Sequence, residues 1–327
     1  MNRRIAMACG DYDRTRALAD GTVRVQGVDL TYLTLTAEET FFRMMRYEEF
    51  DIAEMSLSSY VLSLDFDDPP FIAIPVFPSR AFRHSGIFIN AEGGIASPED
   101  LVGRRVGLPE YQLTACVWIR GILEDFHGVP HDAVTYVTGG LEDPARIEKS
   151  ALRLPDRIRI ESAPRGATLA QMLDAGELDA IYAPRTPSTY GNGRVTRLFP
   201  DVQGVEASYF RETGIFPTMH AVVIQRRLYE EAPWLAMNLV TAFTQALDLA
   251  LPKLRDTTAL HYSLPWLVQH AEDAAAAMGE NPWKYGLAHN HATIDRFLDY
   301  SHRQGLAQVR RSPEELFAAE TRERFAV

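Results

Sequence analysis

The sequence predicts an α/β fold of two lobes, and three observations support this prediction. The first 90 residues alternate short strand patterns with helical patterns, residues from about 91 to 190 repeat that alternation, and long apolar helices follow from residue 234. Strands that alternate with helices favour an α/β layered fold over a sandwich or a bundle. One α/β unit inserted into another predicts a two-lobed clamshell that binds its ligand at the carboxyl ends of the strands.

The first lobe is predicted from short apolar runs and from apolar residues at helical spacing. Phe41, Met44 and Met45 share one face of a predicted helix, and Gly21 ends the helix before it. The expected strands lie at 5–9, 28–35, 51–55, 71–77 and 86–90, and the expected helices at 13–20, 38–47 and 58–64.

The second lobe begins after Asn90, where Ser97 suits a helix N-cap and Pro98 suits the first helical position. The expected elements are strands at 105–108, 135–138, 158–161 and 179–182 and helices at 114–126 and 168–175. A strand at 216–224 and helices at 234–251, 264–278 and 294–304 complete the chain. Lobe 1 is therefore predicted as residues 1–90 plus 191–327, with the C-terminal helices, and lobe 2 as residues 91–190.

Composition limits the classes of function. The 327 residues, at about 150 per domain, agree with roughly two domains. Lys and Arg number 33 against 44 Asp and Glu, so the net charge is −11 and no nucleic-acid partner is expected. The mean hydropathy is −0.16, and no apolar stretch approaches the roughly 20 residues of a membrane span, so no membrane partner is expected either.

Cysteine usage and the N-terminus bear on location. Cys9 and Cys116 form no closely spaced framework, which favours a reducing compartment. The apolar run at 5–9 reads as a first strand, because the core of a secretory signal needs about 7 to 15 apolar residues. These observations predict a cytoplasmic protein.

Several segments are more specific than these patterns. They include Asp11-Tyr12-Asp13-Arg14 after the first strand and Gly214-Ile215-Phe216-Pro217-Thr218-Met219-His220 near the return to lobe 1, with others at 50–60, 74–85, 106–115, 181–185, 282–287, 300–306 and 312–317. Together they resemble the 4,5-dihydroxyphthalate decarboxylase family, whose members are similar in fold to type II periplasmic solute-binding proteins. The resemblance covers essentially the whole chain and implies a type II periplasmic-binding-protein-like clamshell with a C-terminal helical region.

This resemblance implies a non-oxidative decarboxylase, a carbon–carbon lyase of aromatic compound degradation that converts 4,5-dihydroxyphthalate into protocatechuate in phthalate catabolism. Loss of CO2 directly from a ring carbon would leave an aryl carbanion in the ring plane. Protonation of that carbon first avoids the anion, and a para hydroxyl stabilises the dienone-like intermediate. The chemistry needs a proton donor, a group for the phenol proton and a cation that anchors the retained carboxylate.

Two histidines and one glutamate are the candidate catalytic residues. A histidine suits proton donation near neutral pH, so His220 is the candidate donor, and its alternative is a satisfied core histidine. His84 is the alternative donor, because both histidines stand beside predicted strand ends near the crossings between lobes. His84 or Glu110 would take the phenol proton. The alternative for His84 is a structural hydrogen bond near the first crossing between lobes. The alternative for Glu110 is a helix-start carboxylate favoured by the helix dipole.

The candidate substrate-binding residues follow predicted strands. Arg14, Arg80 and Arg185 offer guanidinium groups that suit carboxylates, although loop arginines often form surface ion pairs. The other candidates stand at junctions between a strand and a helix, where helix N-termini bind anions and where serine also acts as a cap. They are Ser56, Ser58, Tyr111, Gln112 and Thr114.

No nucleotide or metal motif occurs, so no cofactor is expected and no metal ligands are proposed, while a need for a divalent ion stays open. His289 and His291 are expected in a solvated loop rather than around a metal.

The expected partner is a small aromatic carboxylate, and a homodimer stays open. The alternatives are a solute-binding protein that delivers an aromatic carboxylate to a transporter, or another enzyme of this fold, such as those of menaquinone or thiamine precursor pathways. An export signal would favour the solute-binding protein.

Overall fold

The computed structural model describes residues 2–144 and 152–322. By its internal contacts the chain divides into two compact units. The first unit comprises Met1–Arg80, Phe210–Asp295 and Arg311–Val327, and the second comprises Ala81–Tyr209 and Arg296–Arg310.

The described residues form strands and helices in alternation over most of the chain. The strands are β1 (Arg3–Cys9), β2 (Val28–Thr34), β3 (Ile52–Ser56), β4 (Phe71–Arg80), β5 (Ile87–Asn90), β6 (Arg105–Leu108), β7 (Thr135–Thr138), β8 (Arg159–Ser162), β9 (Ala180–Tyr182), β10 (Val195–Arg197) and β11 (Thr218–Gln225). The helices are α1 (Asp13–Ala19), α2 (Ala37–Tyr47), α3 (Leu57–Ser63), α4 (Thr114–His127), α5 (Leu169–Asp174), α6 (Val202–Thr213), α7 (Arg226–Glu231), α8 (Trp234–Ala250), α9 (Leu267–Met278) and α10 (Leu287–Arg303).

The first unit is built on a five-stranded sheet in the order β2-β1-β3-β11-β4. β1 pairs in parallel with β2 and β3, whereas β11 runs antiparallel to both β3 and β4. All five residues of β3 are buried, as expected of a strand in the middle of a sheet that is covered on both faces. Any polar side chain on β3 must therefore find its partners inside this unit.

β4 is longer than the predicted strand, which ended at Phe77. It contains Pro75 and Pro78, and proline in a strand is typical of a bulge or an edge. β4 is an edge strand, and its pairing with β11 shifts register on both sides of His220. These irregularities accommodate the prolines, so Arg80 ends a strand instead of following one.

Helix α8 belongs to the core of the first unit. Leu235, Leu239, Phe243 and Leu247 recur at helical spacing and are buried, and α8 packs against α1. The continuous helical stretch Trp234–Leu254 is long and apolar enough, by length and composition alone, to cross a membrane. Core helices of folded domains have the same composition, so this stretch is weak evidence for a membrane span.

The second unit is built on a six-stranded sheet in the order β10-β5-β9-β6-β7-β8. β9, β6, β7 and β8 are parallel, and β5 is antiparallel to β9 and β10. Phe88, Val137, Leu169, Leu173 and Ile181 pack together between this sheet and α5. The prediction of an α/β unit with alternating elements is confirmed for this part of the chain.

The C-terminal part of α10 contributes to the second unit. Trp118 of α4 contacts the rings of Phe297 and Tyr300, with centroids 5.6 Å away in each case. A Cβ at Gly121 would lie 2.2 Å from the ring of Tyr300, so the absence of a side chain there permits this packing. The second unit thus includes residues 296–310, whereas the sequence predicted lobe 2 as 91–190.

Two further expectations differ from the structure. α10 begins at Leu287, so His289 and His291 lie in a helix and not in a solvated loop. The polar residues of its first turns obscure the apolar spacing that marks the helix from Ile294 onward. α6 and β10 were not predicted, since α6 buries only Tyr209 and β10 has three residues.

Candidate active site

A buried carboxylate and a histidine form the centre of the candidate site in the first unit. Glu54 of β3 is 0% exposed, and its Oε1 lies 2.6 Å from Nδ1 of His220 on β11. Glu54 pairs in register with Val222 and Ser56 pairs with His220, so Glu54 and His220 are diagonal neighbours on two paired strands. The sheet itself therefore brings the two side chains together.

Glu54 accepts hydrogen bonds on both carboxylate oxygens. The hydroxyl of Tyr12 donates to Oε1 at 2.8 Å, and the backbone N–H of Gly10 and the thiol of Cys9 donate to Oε2 at 2.9 and 3.4 Å. Burial acts to raise the pKa of the Glu54 carboxyl, but His220 and these donors outweigh it, so the pKa lies below its ordinary value. Glu54 is ionised at neutral pH.

The ring of His220 is only partly enclosed. Its side chain is 18% exposed, and the ring of Phe41 packs edge-on against it with centroids 4.8 Å apart. An ionised carboxylate at Nδ1 requires a proton on that nitrogen, which assigns the tautomer. Nε2 makes no hydrogen bond to the residues that the structure describes, so it is the nitrogen that can meet a substrate.

Arg80 lies close to His220 because the end of β4 pairs with the start of β11. Thr218 pairs with Arg80, and His220 pairs with Ser79. Arg80 is 7% exposed, and its guanidinium donates to the carbonyl oxygens of Phe216 at 3.4 Å and Lys284 at 3.3 Å. Among the residues the structure describes, no carboxylate forms an ion pair with Arg80, so its charge is available to an anion.

The surroundings of Arg80 leave one of its donors unused. Its Nε is buried without a hydrogen-bond partner in the described structure. Burial lowers the pKa of Arg80 to about 10, and the charge of Arg14 acts in the same direction. A buried guanidinium with a free donor and a neighbouring cation is suited to a carboxylate ligand, because the ligand would supply the missing charge and hydrogen bonds.

Arg14 is held between two aromatic rings in the same unit. Its guanidinium lies 4.2 Å from the ring centroid of Tyr12 and 4.1 Å from that of Trp283. Its Nε donates to the carbonyl oxygen of Pro78 at 2.6 Å, and it forms an ion pair with Asp13 at 3.1 Å. Tyr12 thus contacts both Arg14, through its ring, and Glu54, through its hydroxyl.

The two serine candidates lie at the junction of β3 and α3, where Ser56 pairs with His220 of β11. Ser56 accepts a hydrogen bond from the backbone N–H of Ser59 at 3.3 Å, which makes it the N-cap of α3. Ser58 is fully buried in the first turn of that helix. The capping alternative therefore accounts for Ser56, and a substrate contact for either serine stays a prediction.

His84 belongs to the second unit and is almost fully buried, with 1% exposure. The rings of His127, Phe199 and Tyr209 surround it, with centroids 6.4, 5.5 and 5.3 Å away. Burial lowers the pKa of His84 to about 4, and His127 acts in the same direction, so His84 is neutral at physiological pH. This environment favours the structural alternative, and a role with the phenol proton stays a prediction.

Glu110 is also in the second unit, in the loop between β6 and α4. It is 2% exposed and accepts a hydrogen bond from Nε2 of Gln112 at 3.1 Å. Oε1 of Gln112 is buried without a partner in the described structure, so this loop retains an unused acceptor. Thr114 is 4% exposed and begins α4.

Tyr111 and Arg185 occupy contrasting environments in the same unit. Tyr111 is fully buried, its ring lies 3.8 Å from the guanidinium of Arg120, and its hydroxyl donates to the carbonyl oxygen of Gln304 at 3.2 Å. Its side chain therefore supports the Glu110 loop from inside. Arg185 is exposed after β9. Neither position has a carboxylate-binding geometry like that of Arg80.

Sequence reasoning missed Glu54, although a signal for it was present. A glutamate occupies the middle of Ile-Ala-Glu-Met-Ser, an otherwise apolar strand with serine at its end. A charged residue in a buried strand must be paired, and this expectation could have identified it. Its partners could not be found, because His220 is 166 residues away along the chain.

No group of three His, Cys, Asp or Glu side chains is placed to hold a metal ion in residues 2–144 and 152–322. Both oxygens of Glu54 are already bonded by protein donors. The Glu54 and His220 pair, with the buried Arg80 at a neighbouring position of β4, is suited to proton transfer next to a bound anion.

Comparison with known sequences reveals two close relatives, although no known family profile matches the chain. The chain is 43% identical over 325 residues to a protein from Comamonas testosteroni named 4,5-dihydroxyphthalate decarboxylase, and the match covers 99% of this chain and 98% of the relative. It is 47% identical over 209 residues to a Pseudomonas putida protein of the same name, and this match covers 63% of this chain and 81% of the relative.

Comparison with solved structures concerns the fold alone. A periplasmic aliphatic sulphonate-binding protein from Escherichia coli matches with a TM-score of 0.55 at 12% identity, over 98% of this chain and 99% of that one. An Archaeoglobus fulgidus protein matches with a TM-score of 0.52 at 15% identity, over 93% and 98% of the two chains. The predicted periplasmic-binding-protein-like α/β fold is confirmed.

Proposed function

The chain belongs to the 4,5-dihydroxyphthalate decarboxylase family, and we propose on that premise that it is a non-oxidative decarboxylase of a hydroxylated aromatic acid. The observation that carries the proposal is the 43% identity to the Comamonas testosteroni enzyme over 99% of this chain. The substrate that we propose is 4,5-dihydroxyphthalate, which gives protocatechuate and CO2. The reaction is a carbon–carbon lyase reaction and belongs in the breakdown of phthalate-type compounds.

The geometry of the first unit supports this chemistry. His220 offers Nε2 as a proton donor, and Glu54 supports the charged imidazolium from the other side of the ring. Arg80 offers a buried positive charge that no described carboxylate neutralises. Proton donor and anion site lie at neighbouring positions of β11 and β4. Protonation of a ring carbon in a bound aromatic carboxylate needs these two functions side by side.

The proposed reaction proceeds through protonation before the loss of CO2. The N–H at Nε2 of protonated His220 gives its proton to the ring carbon that bears the departing carboxylate. The hydroxyl para to that carbon gives its proton to solvent water and becomes a carbonyl in the dienone-like intermediate. The bond to the carboxylate then breaks, its electron pair restores the aromatic ring, CO2 leaves, and the phenol regains a proton. The net reaction replaces one carboxylate of the substrate by one hydrogen, and the protein is neither oxidised nor reduced.

Arg80 is proposed to hold the carboxylate that remains on the ring, with Arg14 beside it. A guanidinium donates two parallel hydrogen bonds to a carboxylate, and the buried Nε of Arg80 has a donor to spare. Phe216 and Trp283 contact each other with ring centroids 5.5 Å apart and adjoin the two arginines, which provides an apolar wall for an aromatic ring. Interaction of charges in such surroundings is stronger than in water.

Release of CO2 tests the proposal directly. Purified protein is incubated with a panel of hydroxybenzoates and hydroxyphthalates, and CO2 and the ring product are measured for each. We expect turnover of 4,5-dihydroxyphthalate with equal amounts of CO2 and protocatechuate. Tight binding of an aromatic carboxylate without turnover of any panel member would overturn the proposal and would favour a solute-binding protein.

We also propose that the enzyme acts in the cytoplasm. Cys9 and Cys116 are both buried and both free thiols, as expected in a reducing compartment. Fractionation of the cells that produce it tests this proposal, since the protein should be found with soluble cytoplasmic markers. Recovery in a periplasmic extract would contradict it.

A further inference from the structure

We propose that Glu54 is a positioning residue that keeps the proton of His220 on Nδ1 and its reactive nitrogen, Nε2, directed away from β3. The inference rests on the proposed function in one respect, the identity of His220 as the donor. It adds a residue to which the sequence patterns assigned no role. Its basis is the way in which the Glu54 carboxylate is bonded.

The first step is a count of hydrogen bonds. An ionised carboxylate has about four acceptor positions. Glu54 receives four donors, two on each oxygen, from His220, Tyr12, Gly10 and Cys9. Every position is filled, so the carboxylate has neither the space nor the free lone pair to turn toward a substrate. Glu54 therefore acts through His220 and is not itself a proton donor.

The second step concerns charge. Glu54 is 0% exposed, and none of the other donors to its carboxylate carries a positive charge. A buried anion is costly unless a cation compensates it. Of the four described donors, only His220 can carry that positive charge, so Glu54 is placed to stabilise the charged imidazolium that the proposed reaction needs before the ring carbon is protonated.

The third step concerns orientation. A proton on Nδ1 points to Oε1 of Glu54 at 2.6 Å, and Phe41 packs against the ring at 4.8 Å. These two contacts fix the plane and the rotation of the imidazole, and Nε2 is left for the reactant. A histidine without such a partner would populate both tautomers and several orientations, and a fraction of these would be unproductive.

Kinetics of Glu54→Gln test the inference against a purely structural role. We expect kcat to fall by roughly 10² to 10³-fold, because the imidazolium loses its compensating charge, while KM changes much less. Glu54→Asp, which keeps the negative charge on a shorter chain, should recover a large part of the lost kcat.

The second unit contains a matched control. His131 Nδ1 lies 2.6 Å from Oε2 of Glu124, so this pair has the same chemistry and length as the pair of the site. Glu124→Gln should alter neither kcat nor KM. An equal fall of kcat in Glu124→Gln, or an unchanged kcat in a folded Glu54→Gln, would overturn the inference.

The tautomer of His220 is measurable without any activity. Long-range proton–nitrogen spectra of the histidine rings, assigned with a His220→Gln variant, should show the neutral form of His220 protonated on Nδ1 in the unaltered protein. The Nε2–H tautomer there would overturn the inference, even if Glu54→Gln fails to fold. Absence of CO2 release from every panel substrate would overturn the proposed function alone, because the tautomer would still be decided.

Discussion

The guanidinium of Arg80 donates a hydrogen bond from Nη2 to the side-chain oxygen of Asn290. The amide group of Asn290 donates in turn to the carbonyl oxygens of Lys284 at 2.9 Å and Gly286 at 2.7 Å. These two bonds orient the amide so that its oxygen faces Arg80. The first turn of α10 thereby holds a buried cation at the end of β4 without neutralising its charge.

This arrangement predicts that Arg80→Ala mainly weakens substrate binding. Loss of the anchoring guanidinium removes contacts made in both the ground state and the transition state, so KM should rise by roughly 10 to 100-fold with a smaller fall in kcat. Steady-state kinetics of CO2 release measure both constants.

Arg226 is a matched control, because its guanidinium also donates to backbone carbonyls, at the opposite end of β4. Arg226→Ala should leave KM unchanged, and an equal rise in both variants would contradict the assignment.

His220→Ala should act on the chemical step. Without the donor, kcat should fall by roughly 10² to 10⁴-fold, and KM should change far less. His131→Ala provides the control, because His131 has the same type of glutamate partner outside the site. Near-normal kcat in a folded His220→Ala variant would remove the donor assignment.

Chelation tests the expectation of a metal-independent reaction. The described residues place no three ligand side chains around a common point, so activity should survive prolonged treatment with a chelator followed by gel filtration. The rate of CO2 release before and after treatment is the measurement. Loss of activity that a divalent ion restores would contradict the expectation.

The fold was predictable from local patterns, whereas its irregular parts were not. Alternating strands and helices predicted an α/β protein because hydrophobic spacing is a local property of the sequence. The extension of β4 beyond Phe77, through Pro78 to Arg80, depends on the shifted pairing of β11, more than 130 residues later in the chain. The start of α10 at Leu287 was hidden by polar residues in its first turns.

The site was predictable to a smaller extent. His220 and Arg80 were identified from their segments, and the structure places them at neighbouring positions of paired strands. Glu54 was missed, because its importance follows from complete burial and from partners in two separate segments of the chain, Tyr12 and His220. Burial also distinguishes His84 from His220. The burial of a side chain depends on tertiary packing, which cannot be read from the residues next to it in the sequence.

The packing of α4 against α10 predicts a stability effect at Gly121. A Cβ there would lie 2.2 Å from the ring of Tyr300, so Gly121→Ala should lower the free energy of unfolding by about 1 to 3 kcal/mol. Urea denaturation followed by circular dichroism measures it. In a Tyr300→Ala background, Gly121→Ala should raise the free energy of unfolding by up to about 1 kcal/mol, because alanine has a higher helix propensity than glycine. Destabilisation of equal size in both backgrounds would contradict the steric explanation.

His84 predicts how the stability of the protein depends on pH. Burial lowers the pKa of His84 from 6.5 to about 4, whereas the unfolded chain keeps the ordinary value. As the pH falls from 6.5 to 4, the unfolded chain binds a proton that the folded protein does not. The free energy of unfolding should therefore decrease by about 3 kcal/mol over this pH range.

His84→Phe keeps a ring among Phe199 and Tyr209 but cannot take up a proton, so its free energy of unfolding should fall less steeply over the same pH range. Urea denaturation at a series of pH values compares the two proteins, with His261→Phe, at an exposed position, as the control. Parallel curves for the unaltered protein and His84→Phe would show that His84 is not the buried neutral group that the structure describes.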